Sequence, residues 1–357
     1  MNKLIHSIEL SEAVGLLRSL IETPSFSRKE QDTARLISDF LSNKGIPVHQ
    51  HLNNVWAFNQ NFDPNLPTLL LNSHHDTVPP NTGYTRDPFD AQVDDGKLYG
   101  LGSNDAGASL VALIFTFLHF YKRERLSFNL LLAATAEEEI SGSGGIESIL
   151  PLLPSITCGI VGEPTQMQLA VAERGLIVLD VNVQGRAGHA ARAEGDNALY
   201  KALADIHWIK NHRFEKVSEW LGPVQMTVTS IETDNKAHNV VPANCNFIVD
   251  IRVNDCYTPE EIVATIQSNI SGKATPRSMR LRPTSIPVSH PLVQAGLQLG
   301  KNCYGSPTSS DKALLPFPVL KMGPGDSARS HMSDEFVFIR ELEEGIDTYI
   351  QLLNQVI

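Results

Sequence analysis

Three short apolar runs punctuate the first half of the chain, and each leads into residues that bind metals. Leu69-Leu70-Leu71 runs into His74 and Asp76, Leu130-Leu131-Leu132 into Glu137, Glu138 and Glu139, and Ile160-Val161 into Glu163. Continuous apolar runs of this length, bounded by turn residues, predict strands buried on both faces, as in a parallel sheet. The strands are expected at 68–73, 128–135 and 156–161. Helical periodicity fills the intervals at 11–22, 29–44, 106–121 and 142–151. Strand-helix alternation of this kind predicts a parallel sheet with helices on both faces. Ligands in such sheets sit beyond the carboxyl ends of the strands. The pattern therefore gathers imidazole and carboxylates at one sheet edge.

The pattern changes after Gly175. LIVLDVNVQG, VQMTVTSIET and NFIVDIRVN read as strands, 196–213 as a helix, and TPEEIVATIQSNI as a helix opened by Thr258 with Glu260 and Glu261 in its first turn. MRLRPT is the last strand of this stretch, giving the order β-α-β-β-α-β of a ferredoxin-like α+β unit. A helix at 291–303, the strand FPVLKMG and a helix at 340–355 then resume the first pattern. The expected division is a discontinuous first domain, 1–175 with 286–357, carrying an insert at 176–285.

Length and charge narrow the class. A chain of 357 residues suits two domains. Its net charge of −11 disfavours nucleic acid and anionic membrane as partners. Cys158, Cys245, Cys256 and Cys303 are scattered, which fits reduced thiols in the cytoplasm. The opening MNKLIHSIELSEAV lacks the build of a signal peptide. AGASLVALIFTFLHFYK, the most apolar helix, is short and carries His119 and Lys122, so a buried helix is expected rather than a membrane span.

Each candidate has a plain alternative. His74 suits a metal ligand with Asp76 behind it, or a polar turn before Val78-Pro79-Pro80. His75 points elsewhere and is structural. Asp105, between a glycine-rich turn and a helix, reads on its own as an N-cap. Glu137 to Glu139 read as a solvated run or, at a buried strand end, as one ligand beside one general base. Glu163 could be a loop carboxylate before Pro164, and His331 an exposed loop histidine. So many carboxylates at one edge repel one another unless cations or protons lie among them. HExxH, GxSxG and GxGxxG are all absent.

Taken together, HHDTVPP, the Asp105 turn, TAEEE, VGEPT, GRAGHAA, HNVVP and His331 with Asp334-Glu335 resemble the M20 metallopeptidase family, over essentially the whole chain. Acetylornithine deacetylase and succinyl-diaminopimelate desuccinylase belong to that family. The resemblance implies a zinc-exopeptidase-like first domain and makes the insert a dimerisation or lid domain. It implies two divalent metals, zinc or sometimes cobalt, bridged by Asp105. His74 and Glu163 would complete one site, Glu139 and His331 the other. Glu138 would be the base and Asp76 the partner of His74. His189 would reach a neighbouring subunit's site to hold the oxyanion, making the active form a homodimer. Asn239 and Arg252 would contact substrate, and Gly323 and Gly325 would shape the wall beside His331. Two positions depart from the family: Ala106-Gly107 stands where many relatives have Lys followed by Gly, and Leu101 where many have Arg.

The resemblance implies metal-dependent hydrolysis of an N-acyl amide, acetyl or succinyl, on an amino acid such as ornithine or citrulline, in arginine biosynthesis. Two rivals remain open: an aminopeptidase or dipeptidase of the same family, and a metal-free binding relative. A serine or cysteine hydrolase is a further option.

Overall fold

The computed structural model describes residues 7–192 and 194–357. The first six residues, part of the stretch read as lacking a signal peptide, lie outside that description. The chain divides into two compact units, Met1–Val171 with Ile286–Tyr304 and Ser310–Ile357, and Ala172–Ser285 with Gly305–Ser309. The crossing into the second unit thus falls a few residues before Gly175, and the short segment Gly305–Ser309 joins that unit too.

The first unit is α/β. Its mixed sheet runs in the order His49–His51, Asn54–Phe58, Asn129–Thr135, Thr68–His74, Cys158–Val161, Val319–Lys321, Leu169–Glu173. The middle four strands are parallel: Thr68–His74 pairs with Asn129–Thr135 on one side and Cys158–Val161 on the other, and Val319–Lys321 comes next. Every residue of Thr68–His74 and Asn129–Thr135 is buried, as continuous apolar runs require. Leu70, Leu131, Val161 and Val319 pack on one face with Trp56, Ile146 and Ile149. Ala108–Phe120 packs against both the Thr68–His74 strand and the closing helix Ile339–Leu353. Eleven of its residues are buried, so it is a core helix. Among the described residues no helix is long and apolar enough to cross a membrane.

Register sets the site. His74 stands opposite Thr135, and Asn72 opposite Val161. The three central strands therefore end almost level, and the next residues of each emerge at one edge.

The second unit has the strands Gly175–Gln184, Gln225–Thr233, Asn244–Val253 and Lys273–Pro276, with helices Ala198–Asn211 and Pro259–Gln267. All its strand pairs are antiparallel. The spatial order is second, third, first, fourth, the ferredoxin-like arrangement. Alternate residues Ile177, Leu179, Val181, Val183, Phe247, Val249 and Ile251 form its core with Ala202, Ile209, Ile262 and Ile266 from the helices. Thr258 caps the second helix in a full capping box with Glu261.

Three elements differ from expectation. The fourth strand of the insert is Lys273–Pro276, and MRLRPT is irregular until its last residue, Thr284. Only Ile146–Ile149 of the segment at 142–151 is α-helical. The preceding glycines wrap the Glu137 carboxylate instead, and a Cβ on Gly142 or Gly144 would fall within 2.4 Å of it. The hairpin His49–His51 with Asn54–Phe58 had no turn signal, because its turn places Leu52 at φ +53°.

Candidate active site

His74 ends its strand at 1% exposure, so both ring nitrogens need partners. Nδ1 lies 3.0 Å from the main-chain carbonyl of Asp76 and 3.4 Å from that residue's carboxylate. A proton on Nδ1 satisfies both and frees Nε2 to act as a ligand. Nε2 faces Asp105 at 3.3 Å and both Glu138 and Glu163 at 3.9 Å. Across the site His331 Nε2 lies 3.0 and 3.2 Å from the two oxygens of Glu139, and 3.8 Å from Asp105. Asp105 is thus the carboxylate facing both imidazoles. Ligand atoms of His74, Glu138 and Glu163, and of His74, Asp105 and Glu139, each lie within 4.8 Å of one another.

Asp105 is not the N-cap of the helix after it. Gly107 holds that position, and Ser103–Gly107 forms a wide turn ahead of it. The turn starts at Gly102, whose φ of +76° suits glycine; a Cβ there would stand 2.6 Å from Thr77. His331 also takes a positive φ, +60°, in a loop tied down by Asn81, which donates to its carbonyl. His75 is structural: its nitrogens meet the Thr33 hydroxyl and the Asn53 carbonyl, each at 2.9 Å. Burial pushes its pKa down to about 4, so the ring is neutral.

Charge explains what the site needs. For His74 burial is the largest influence and opposes protonation, but Asp105, Asp76 and Glu138 outweigh it and raise the pKa well above the usual range. His331 is raised to about 9, chiefly by Glu139. Burial, together with Glu163, Asp311 and Glu139, drives Glu138 well above the usual carboxylate range, against the pull of His74. Burial also raises Glu139, opposed by His331. The edge draws in positive charge, and its two imidazoles with converging carboxylates are the donor set that divalent metals such as zinc take.

Residues remote in sequence hold the turn that carries Glu138 and Glu139. Four consecutive amides are bound by side chains. Ala136 donates to Asn54 at 3.0 Å, Glu137 to Glu30 at 3.3 Å, Glu138 to Asp76 Oδ1 at 3.0 Å and Glu139 to Asp76 Oδ2 at 3.2 Å. Ser27 adds a hydroxyl bond to Asp76 at 2.7 Å. Asp76 therefore fixes three site residues rather than His74 alone. Its carboxyl stays below the usual range, because His74 and Ser27 overcome the burial that would raise it. Asp311 is a further buried carboxylate, pushed up to about 6 by burial and bonded by Thr135 at 2.7 Å. Glu30, Asn54 and Asp311 carry no periodic or motif signal. Their partners at this edge, Glu137, Ala136 and Thr135, lie 82 to 176 residues away, and only the fold reveals them.

Gly323 and Gly325 allow close approach. A Cβ on Gly323 would stand 2.5 Å from the Glu163 carbonyl, and one on Gly325, at φ +90°, 2.5 Å from Asn104. In the second unit Arg252 is engaged by Asp250 through two bonds, 2.8 and 3.1 Å. His189 ends the short strand Gly188–His189, which pairs with Val240–Val241, and Asn239 accepts the Ala190 amide through its main-chain carbonyl.

Fold and donor set define an α/β metallohydrolase. The chain belongs to peptidase family M20/M25/M40, which it matches over residues 70–355. It is 28% identical to acetylornithine deacetylase of Edwardsiella ictaluri over 92% of this chain and 94% of that one. It is also 28% identical to succinyl-diaminopimelate desuccinylase 2 of Ruegeria sp., over 71% of this chain and 68% of that one. Among solved structures, aminopeptidase PepT from Bacillus cereus matches with TM-score 0.77 at 15% identity, over 97% and 98% of the two chains. The Bacillus subtilis YXEP protein, described as a dinuclear metal binding peptidase of the M20 family, matches with TM-score 0.73 at 16% identity, over 98% of both.

Proposed function

We propose that this chain removes an acetyl or succinyl group from the nitrogen of a small amino acid, ornithine or citrulline in kind, as a step of arginine biosynthesis. The observation that carries the reading is the convergence of His74, Asp105, Glu138, Glu139, Glu163 and His331 at one sheet edge. Its support in substrate class is the likeness to acetylornithine deacetylase along nearly the full length of both chains.

Two divalent ions, zinc or cobalt, fit this donor set, with His74 and Glu163 holding one, Glu139 and His331 the other, and Asp105 both. Such ions would lower the pKa of a coordinated water to about 7 and polarise the amide carbonyl. Glu138 takes the proton from the attacking water and returns it to the departing amine nitrogen. A carboxylate within reach of both the water and the leaving nitrogen can serve as base in the first half of that cycle and as acid in the second. Asp76 keeps His74 in one tautomer and aims Glu138 and Glu139. In our reading the enzyme is a cytoplasmic homodimer whose second unit is a dimerisation or lid domain. His189 from a second copy would stabilise the oxyanion, Arg252 and Asn239 would bind the substrate's polar groups, and Gly323 and Gly325 would shape the wall beside His331. The four cysteines are all free, in keeping with a reducing compartment.

The test is a zinc- or cobalt-supplemented assay against N-acetyl and N-succinyl forms of ornithine, citrulline and diaminopimelate, with dipeptides alongside. Turnover of an N-acyl amino acid is expected. Cleavage of the dipeptides alone would replace this reading with a peptidase. Glu138→Gln should keep its metal and lose about 10²–10⁴-fold in kcat; full activity in that variant would remove Glu138 from the mechanism.

A further inference from the structure

We infer that Glu335 is a positioning residue for the metal centre, holding the turn that presents Asp105. The inference rests on the two-metal reading, since Asp105 is decisive there only as the ligand shared by both ions.

The turn cannot satisfy its own amides. It opens at Gly102 in a left-handed conformation and widens through Ser103–Gly107. Gly107 bonds back to the Gly102 carbonyl at 2.9 Å, and Ser103 reaches Gly100 at 3.1 Å. The amides of Gly102, Asn104 and Asp105 all turn instead to one side chain. Glu335 Oε1 accepts from Asn104 at 2.8 Å and Asp105 at 2.9 Å, and Oε2 accepts from Gly102 at 3.2 Å. Glu335 is 2% exposed, so water cannot replace these bonds. Its main-chain carbonyl takes a fourth amide, that of Gly100, at 2.9 Å.

A buried carboxylate gathering three amides could serve any tight turn. Two facts make this one specific to the metal centre. Asp105 is gripped at its own amide while its carboxylate faces His74 at 3.3 Å and His331 at 3.8 Å. The gripping residue also lies four positions beyond His331 on one short segment, anchored where Phe336–Phe338 pairs with Lys97–Tyr99. One stretch of chain thus supplies a metal ligand and fixes the height of the ligand opposite. An error in either would open the distance that two ions must share.

Glutamine at 335 keeps one acceptor oxygen but sets an NH₂ group against at least one backbone N–H. Aspartate keeps both carboxyl oxygens but is a methylene short of the turn. Three readouts on the full-length Glu335→Gln and Glu335→Asp proteins test the role: cobalt(II) titration followed by visible absorption, circular dichroism, and kcat separately from KM. Both variants should keep the parent far-UV spectrum. Cobalt should bind about 10–100-fold more weakly at one of two sites, with altered visible bands. The kcat value should fall at least tenfold, with KM within twofold. Parent-like cobalt affinity and bands in both variants would overturn the inference. Failure of both to fold would also overturn it, because Glu335 would then be holding the domain rather than the metal turn. A parent protein that takes up no cobalt would instead overturn the two-metal reading and carry the inference down with it.

Discussion

Asp76→Asn is the most informative single substitution at this site. It preserves shape and removes one charge and one acceptor. Four donors converge on the two carboxylate oxygens: Glu138 N–H at 3.0 Å and His74 Nδ1 at 3.4 Å on Oδ1, Ser27 Oγ at 2.7 Å and Glu139 N–H at 3.2 Å on Oδ2. In either orientation the new NH₂ group confronts one of the two backbone amides. Asp76 is 0% exposed, so that amide stays unsatisfied, at a cost of about 1–3 kcal/mol. Loss of the charge weakens the remaining bonds, and a total near 3 kcal/mol is expected, roughly the strength of one or two charge-assisted bonds. In a unit of this size that lowers the melting temperature by about 6–12 °C. The same loosening frees Glu138 and Glu139 to swing, while the main-chain carbonyl at 76 still holds His74 Nδ1, so zinc should bind about 10–100-fold more weakly. Thermal melting in EDTA reads the first effect, and competition against a chromophoric zinc chelator reads the second. A variant with parent zinc affinity and a melting point within a degree of the parent would show that Asp76 holds neither the turn nor the imidazole.

The same geometry sets other outcomes. On the proposed ligand set, His331→Ala should reduce bound zinc from two equivalents to one by atomic emission, because His74, Glu163 and Asp105 would remain for the other ion. Chelation with EDTA should lower the melting temperature, since free metal at about 100 times its Kd contributes about 2.7 kcal/mol; identical melts with and without chelator would contradict a structural role for the ions. Leu70→Ala, at a fully buried position on the strand that carries His74, should cost about 2–5 kcal/mol in denaturant unfolding. Mixed Glu138→Gln and His189→Ala subunits should regain activity that neither has alone; no recovery would confine each site to one chain.

The strand ends were the most legible part of the molecule. Leu69 to Leu71, Leu130 to Leu132 and Ile160-Val161 announce buried parallel strands because no other short element tolerates apolar residues on both faces. Topology then places the polar residues at the end of each run. Asp105 was harder. Its local context is that of a helix cap, and only the tertiary turn at Gly102 moves the cap to Gly107. Lys273–Pro276 was hidden by its length and by the proline that ends it, whereas MRLRPT mimicked a strand by alternation alone. The residues that hold the site, Glu30, Asn54 and Glu335, act on backbone amides. A backbone amide has no letter in the sequence, so neither pattern nor motif could have paired them with the turns at Ala136–Glu139 and Gly102–Asp105.

The placement of Val319–Lys321 bears on how the molecule is made. That strand lies inside the sheet, between Cys158–Val161 and Leu169–Glu173, although about 150 residues separate it from both. During synthesis the first-unit segment that emerges early has an open gap, with strand edges unpaired and prone to wrong partners. The four-stranded sheet and two helices of the insert all lie between residues 175 and 276, so they can fold while the rest is still being translated. The sheet closes only when residue 321 has left the ribosome, and the metal turn only when residue 335 has. Metal capture is then a late, post-translational event. Slow or interrupted translation between 286 and 335 should leave a species with a folded insert and an aggregation-prone half-sheet.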